Sequence, residues 1–199
     1  MKPLNAIFTI AAAAALSRSA GAQALYAGVR AGTGIPSGDF STTATGTGGA
    51  AFLRGASPGL GYGLDAGIGS PLFGFYASYD HIEFGCKSEA CDVSGKYELK
   101  GYAAGVRASV PLLPLVRPWA KAGVTYNELT GTADSVSVST GRGIGYEVGA
   151  GVDIPIMMGF LSLTPQVRRI RQRLSPNDGS KRAADYYTFD IGLRVRTPI

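Results

Sequence analysis

Between Leu25 and Thr197 the chain repeats one pattern eight times: apolar residues at every second position, with glycine, hydroxyl or charged residues between them. A period of two puts alternate side chains on opposite faces of an extended strand, so each run has one apolar and one polar face. The closing run shows it most clearly, with Tyr187, Phe189, Ile191, Leu193 and Val195 set against Thr188, Asp190, Gly192, Arg194 and Arg196. The other seven run from Leu25 to Gly32, Leu60 to Gly69, Phe73 to Asp80, Gly101 to Val110, Val116 to Asn127, Ile144 to Ile154 and Leu161 to Arg168. In the third, the alternation fades at His81-Ile82-Glu83-Phe84. Pro118 cannot donate to a ladder, so the fifth strand is expected to begin there or to carry a bulge.

The connections decide which solvent the apolar faces meet. Long polar stretches, from about Ile35 to Gly59, Gly85 to Lys100, Thr130 to Gly143 and Leu174 to Asp185, alternate with short turns at Ser70-Pro71-Leu72, Pro111 to Pro114 and Pro155 to Gly159. Loops that alternate long and short by side predict an all-β, eight-stranded antiparallel up-and-down transmembrane β-barrel, whereas a soluble sandwich or lipocalin has no reason to alternate them. Tyr62, Phe73, Phe75, Tyr79, Tyr102, Tyr126, Tyr146, Phe160, Tyr187 and Phe189 fall near strand ends or on apolar faces, where interfacial girdles are expected.

The compartment follows from the N-terminus. Met1-Lys2, an uncharged run from Ala6 to Leu16, and the overlapping sites Ala20-Gly21-Ala22 and Ala22-Gln23-Ala24 predict a secretory signal peptide over residues 1–22, cleaved after 22 or 24, leaving a barrel domain over 23–199. The apolar run is far shorter than the roughly 20 residues of a membrane helix. Without Lys2 and Arg18 the formal charge of +5 falls to +3. Export and the lack of a basic stripe with interleaved aromatics exclude nucleic acid as a partner. In an oxidising compartment Cys86 and Cys91 are expected to form a loop-closing disulfide worth about 2 kcal/mol. No second Cys or His cluster completes a metal site, and no nucleotide or other cofactor fingerprint is present.

The inward face carries Arg30, Arg107, Arg117, Lys121, Arg168, Arg194 and Arg196 with Asp65, Asp80, Glu147, Asp153 and Asp190. Eight strands enclose a lumen only wide enough for side chains, so these groups are expected to pair as a salt-bridged interior, the alternative being a narrow or gated pore. His81, the only histidine, shares a face with Glu83, a pair worth weighing as the base and orienting carboxylate of a serine-based acyl-transfer site. Ser78 falls on the opposite face, which favours a protein that is not an enzyme. Arg169, Arg171 and Arg173 face outward at the end of the seventh strand, either to hold lipopolysaccharide phosphates or as an ordinary solvated strand end.

The signal peptide, the eight segments and the terminal Asp190-x-Gly192-x-x-Val195-x-Thr197 resemble the small OmpA-like, OmpX-like and opacity-porin-like outer-membrane β-barrel family over essentially the whole mature chain. The resemblance implies the outer membrane of a Gram-negative bacterium, a monomer among outer-membrane lipids including lipopolysaccharide, and a closing strand read by the barrel-assembly machinery through Asp190, Gly192, Val195 and Thr197. The family's closing strand usually ends on an aromatic residue; here Thr197 holds the last apolar slot and Pro198-Ile199 follow. The role implied is structural or surface-interacting, against a lipid A-modifying enzyme or a small porin-like channel.

Overall fold

The structure, a computed structural model, describes residues 24–41, 55–86, 95–110, 116–133, 136–157, 160–174 and 182–198. Eight strands form a closed antiparallel barrel: β1 (Ala24–Ser37), β2 (Ala56–Gly69), β3 (Phe73–Cys86), β4 (Lys96–Ser109), β5 (Arg117–Ala133), β6 (Val136–Met157), β7 (Leu161–Leu174) and β8 (Arg182–Pro198). Each strand pairs with the next, and β8 returns to β1 from Ala24↔Pro198 to Ser37↔Asp185, so no edge is left open. Pro118 is the second residue of β5 and pairs in register with Val152, so the strand begins beside it without a bulge there.

The turn between β2 and β3 is made by one hydroxyl. Ser70 Oγ accepts from the Phe73 amide at 3.1 Å and Ser70 N donates to Phe73 O at 2.8 Å, which closes the chain over Pro71 and Leu72. At the other end the first loop opens with a single 3₁₀ turn, Gly38–Phe40, which drops Phe40 fully buried into the barrel.

One expected loop is a strand pair. The polar segment Thr130 to Gly143 continues the β5–β6 ladder to Ala133↔Val136, leaving only residues 134–135 as the connection. Its threonines and valines are good strand formers, and polarity alone concealed them. A register shift between Glu128 and Thr130 meets Gly141 at φ 66°. Thr140 Oγ1 patches that irregularity, accepting from Leu129 N at 3.3 Å and donating to Leu129 O at 3.1 Å.

The strands are longer than a bilayer requires. About 9–11 residues of a tilted strand cross the hydrocarbon, yet these have 14 to 22. The excess at the loop end inverts the chemistry of the two faces. Toward the turns, large apolar groups face outward, among them Phe75 at 46% exposure and Ile191 at 63%. Toward the loops, Ile82, Phe84, Tyr97, Leu99, Leu129, Ile170, Leu174, Ala184 and Tyr186 face inward and close around Phe40 as a core. Phe40 meets Phe84 edge-on at 5.3 Å and Phe84 meets Tyr186 at 5.5 Å. The fading alternation in β3 is this inversion. Phe73, Phe75, Ala77 and Tyr79 face out, then Ile82 and Phe84 face in, with no bulge between them. Neighbouring strands change together, for Ile82 pairs with Leu99, Leu99 with Leu129, and Ile170 with Tyr186. A strand leaving lipid for water must exchange its apolar face, and this level marks where it does so.

Candidate functional site

Below the apolar cap every strand contributes to one chain of charge. Near the turns, Asp153 accepts from Arg107 at 2.6 Å, Arg194 at 2.7 Å, Trp119 Nε1 at 3.1 Å and Thr164 Oγ1 at 3.2 Å. Arg194 donates onward to Asp65 at 3.1 Å, and Asp65 also accepts from Arg30 at 3.1 Å. Arg30 reaches Asp80 at 2.7 Å, which takes two further bonds from Arg168 at 2.9 and 3.0 Å. Arg168, 2% exposed, also holds Asp190 at 3.0 Å and Glu147 at 3.3 Å. Glu147 accepts from Lys121 at 2.9 Å and from the Tyr76 hydroxyl at 2.6 Å. Above them Asn127 and Gln172 exchange two bonds of 2.8 Å, forming a neutral polar layer under the cap.

The sequence analysis placed twelve charged groups on the inward face; the barrel brings ten of them into this chain, while Arg117 opens β5 in register with Asp153. Arg196, on the same face, lies at the turn end, 3.8 Å from Asp153. The neutral partners were not foreseen: Tyr76, Trp119, Asn127, Thr164, Gln172 and Thr188 all occupy inward parity, which is the signal that would have found them. Lumen glycines provide their space. A Cβ at Gly63 would lie 2.7 Å from the Arg30 guanidinium carbon, and one at Gly67, Gly123 or Gly151 would collide with Tyr26, Tyr76 or Trp119. Among the described residues each of the five lumen carboxylates is paired with at least one cation.

On the outer surface a tyrosine collar crosses β3, β4 and β5 near the inversion, with Tyr79 paired to Tyr102 and Tyr102 to Tyr126. His81 sits beside it, its ring stacked on Tyr62 at 4.8 Å and 18°. His81 Nε2 lies 3.5 Å from Glu83 Oε1 and 3.5 Å from Glu98 Oε1, the second carboxylate arriving from β4. Lys96 approaches Glu83 at 3.4 Å and Lys100 approaches Glu98 at 2.7 Å. In this extramembrane rim the Lys96 ammonium holds the Glu83 carboxyl below its ordinary value, and the Glu98 hydrogen bond raises Lys100. Ser78 points into the lumen, on the other face of β3 from His81. Further round, Arg169, Arg171 and Arg173 are exposed at every second position of β7; Arg169 lies 5.8 Å from the Tyr187 ring centroid and Arg171 3.5 Å from Asp185.

Residues 6–161 match the family described as outer membrane protein beta-barrel domain. The chain belongs to the outer-membrane β-barrel family. This outer-membrane barrel is similar in fold to Neisserial surface protein A, at 15% identity and TM-score 0.64 over 86% of this chain and 97% of that one. It is also similar to OprG of Pseudomonas aeruginosa, at 13% identity and TM-score 0.54 over 89% and 96%. Ail, the attachment invasion locus protein of Yersinia pestis, follows at 12% and 0.52 over 89% and 99%. No curated protein matches the barrel in sequence. Membership places the protein in the outer membrane, with the turn end periplasmic and the loop end outside. Cys86 ends β3 against the outer core and no described cysteine is free. Its expected partner Cys91, like the expected signal peptide of residues 1–22, lies outside the described residues. Of the terminal signal, Asp190 and Gly192 face inward while Val195 and Thr197 face outward.

Proposed function

We propose that this outer-membrane barrel is a structural and surface-interacting protein whose lumen is closed, so that it works through its outer rim and loops. The single observation that supports this reading is the charge chain, which draws on all eight strands and pairs every lumen carboxylate beneath an apolar cap. A permeating ion would have to break pairs with no replacement partner in a space filled by side chains. Planar bilayers holding the purified protein are expected to show little or no stable conductance. Large, reproducible channels would establish the porin-like alternative.

The same reading has no acyl chemistry, because Ser78 and His81 face opposite sides of β3. Mass spectra of lipid A from expressing cells should match those of cells lacking the protein, and His81→Ala should change neither; a lost acyl chain restored by His81→Ala would make His81 catalytic. As partners we propose the barrel-assembly machinery at Asp190, Gly192, Val195 and Thr197, and lipopolysaccharide phosphates along Arg169, Arg171 and Arg173, around a monomer. Guanidinium groups spaced along one strand suit bidentate phosphate contacts. N-terminal sequencing of the mature protein should begin after residue 22 or 24.

A further inference from the structure

We propose that His81, Glu83 and Glu98 form a surface site for a borderline divalent cation of the zinc class, on the outer rim above the tyrosine collar. The three candidate ligand atoms lie within 4.8 Å of one another. Two of the three separations match a shared ion, His81 Nε2 standing 3.5 Å from each carboxylate oxygen, and the two carboxylates, within 4.8 Å of each other, would draw together around it. That nitrogen–oxygen separation is too long for a good N–H···O hydrogen bond, whose usual range ends near 3.2 Å. It fits two ligands of one tetrahedral ion, since bonds of about 2.0–2.1 Å place neighbouring ligand atoms roughly 3.3 Å apart.

The site is also held in place. Tyr62 stacks on the imidazole, and the ladder sets Glu83 opposite Glu98 and His81 opposite Lys100, so both carboxylates and the ring project from one patch of sheet. His81 Nδ1 is buried without a hydrogen-bond partner among the described residues, and Nε2 is the ring nitrogen that faces the two carboxylates and would hold the ion. Imidazole with two carboxylates suits zinc, whereas magnesium prefers an octahedral shell of oxygens and keeps its waters. Three protein ligands leave the fourth position to water or to an anionic group from outside. The two lysines oppose the ion: Lys100 competes for the same Glu98 oxygen and must swing away, which its half-exposed side chain permits. Affinity is therefore lower than in a closed four-ligand site.

Because His81 is the only histidine, its imidazole NMR signal reports on this site alone. Zn²⁺ is titrated into tag-free, non-reduced, detergent-folded protein, with isothermal calorimetry alongside. The imidazole signal is expected to shift and saturate at one equivalent of Zn²⁺, and Mg²⁺ should leave it unmoved. Glu98→Gln and His81→Ala should each weaken Zn²⁺ at least about tenfold, while Lys100→Met should tighten it, a gain that loss of structure cannot produce. Unboiled gel mobility confirms that each variant is folded. An imidazole signal indifferent to Zn²⁺, or Zn²⁺ binding that survives Glu98→Gln unchanged, overturns the site.

Discussion

Arg168 shows what a single buried cation does in this protein. It donates to Asp80, Glu147 and Asp190 from one guanidinium and is almost wholly removed from solvent. Removing it would leave buried carboxylates without a counter-charge, and breaking a buried pair in this way costs about 3–5 kcal/mol. Arg168→Ala is therefore expected to lower the unfolding free energy by that order in denaturant titrations of the folded barrel. Its neighbour Arg169 points outward, and Arg169→Ala should fall within about 0.5 kcal/mol of wild type in the same assay. Equal losses at the two positions would mean that the lumen chain does not hold the barrel. Leu129 provides a second contrast: fully buried in the apolar cap, it should cost about 2–5 kcal/mol as Leu129→Ala.

At the scale of the strand, the exchange of apolar faces fixes which part of each element meets lipid. Val29 faces outward in the middle of β1, between Leu64 and Leu193 and below the inversion. Thr130 faces outward on β5, beyond it. Arginine on the lipid face near mid-bilayer costs about 2–4 kcal/mol and almost nothing near the interface. Val29→Arg should accordingly destabilise the barrel in lipid by that order while Thr130→Arg leaves it unchanged, measured by reversible unfolding in vesicles. The same geometry puts Cys86, the last residue of β3, outside the membrane. Cys86→Ser should leave assembly intact, and thiol labelling of the non-reduced wild type should find no free cysteine; two reactive thiols would refute the bridge.

For the whole molecule, closure is the governing fact. Every strand is paired on both sides, so unfolding must open a complete ring of ladders. Unboiled protein should migrate differently from boiled protein on a gel, and should fractionate with the outer membrane. A protein found free in the periplasm with no heat-dependent shift would contradict the barrel in lipid.

The sequence by itself determined the strand count, the up-and-down strand order, the inward parity of the lumen charges and the lipid-facing band, because a two-residue period is a local property. It also placed Arg169, Arg171 and Arg173 outward by counting alone. Only the tertiary structure decided which charges meet, since Arg168 and Asp80 are 88 residues apart and join across a closed ring. It likewise turned the supposed Thr130–Gly143 loop into ladder, for strand pairing requires a partner that local polarity does not reveal. The inversion in β3 was visible as a fading pattern, but its meaning needed the neighbouring strands to change together with it. Glu98 joined His81 for a similar reason: the register of β3 against β4 placed it there, and register is set by the whole barrel.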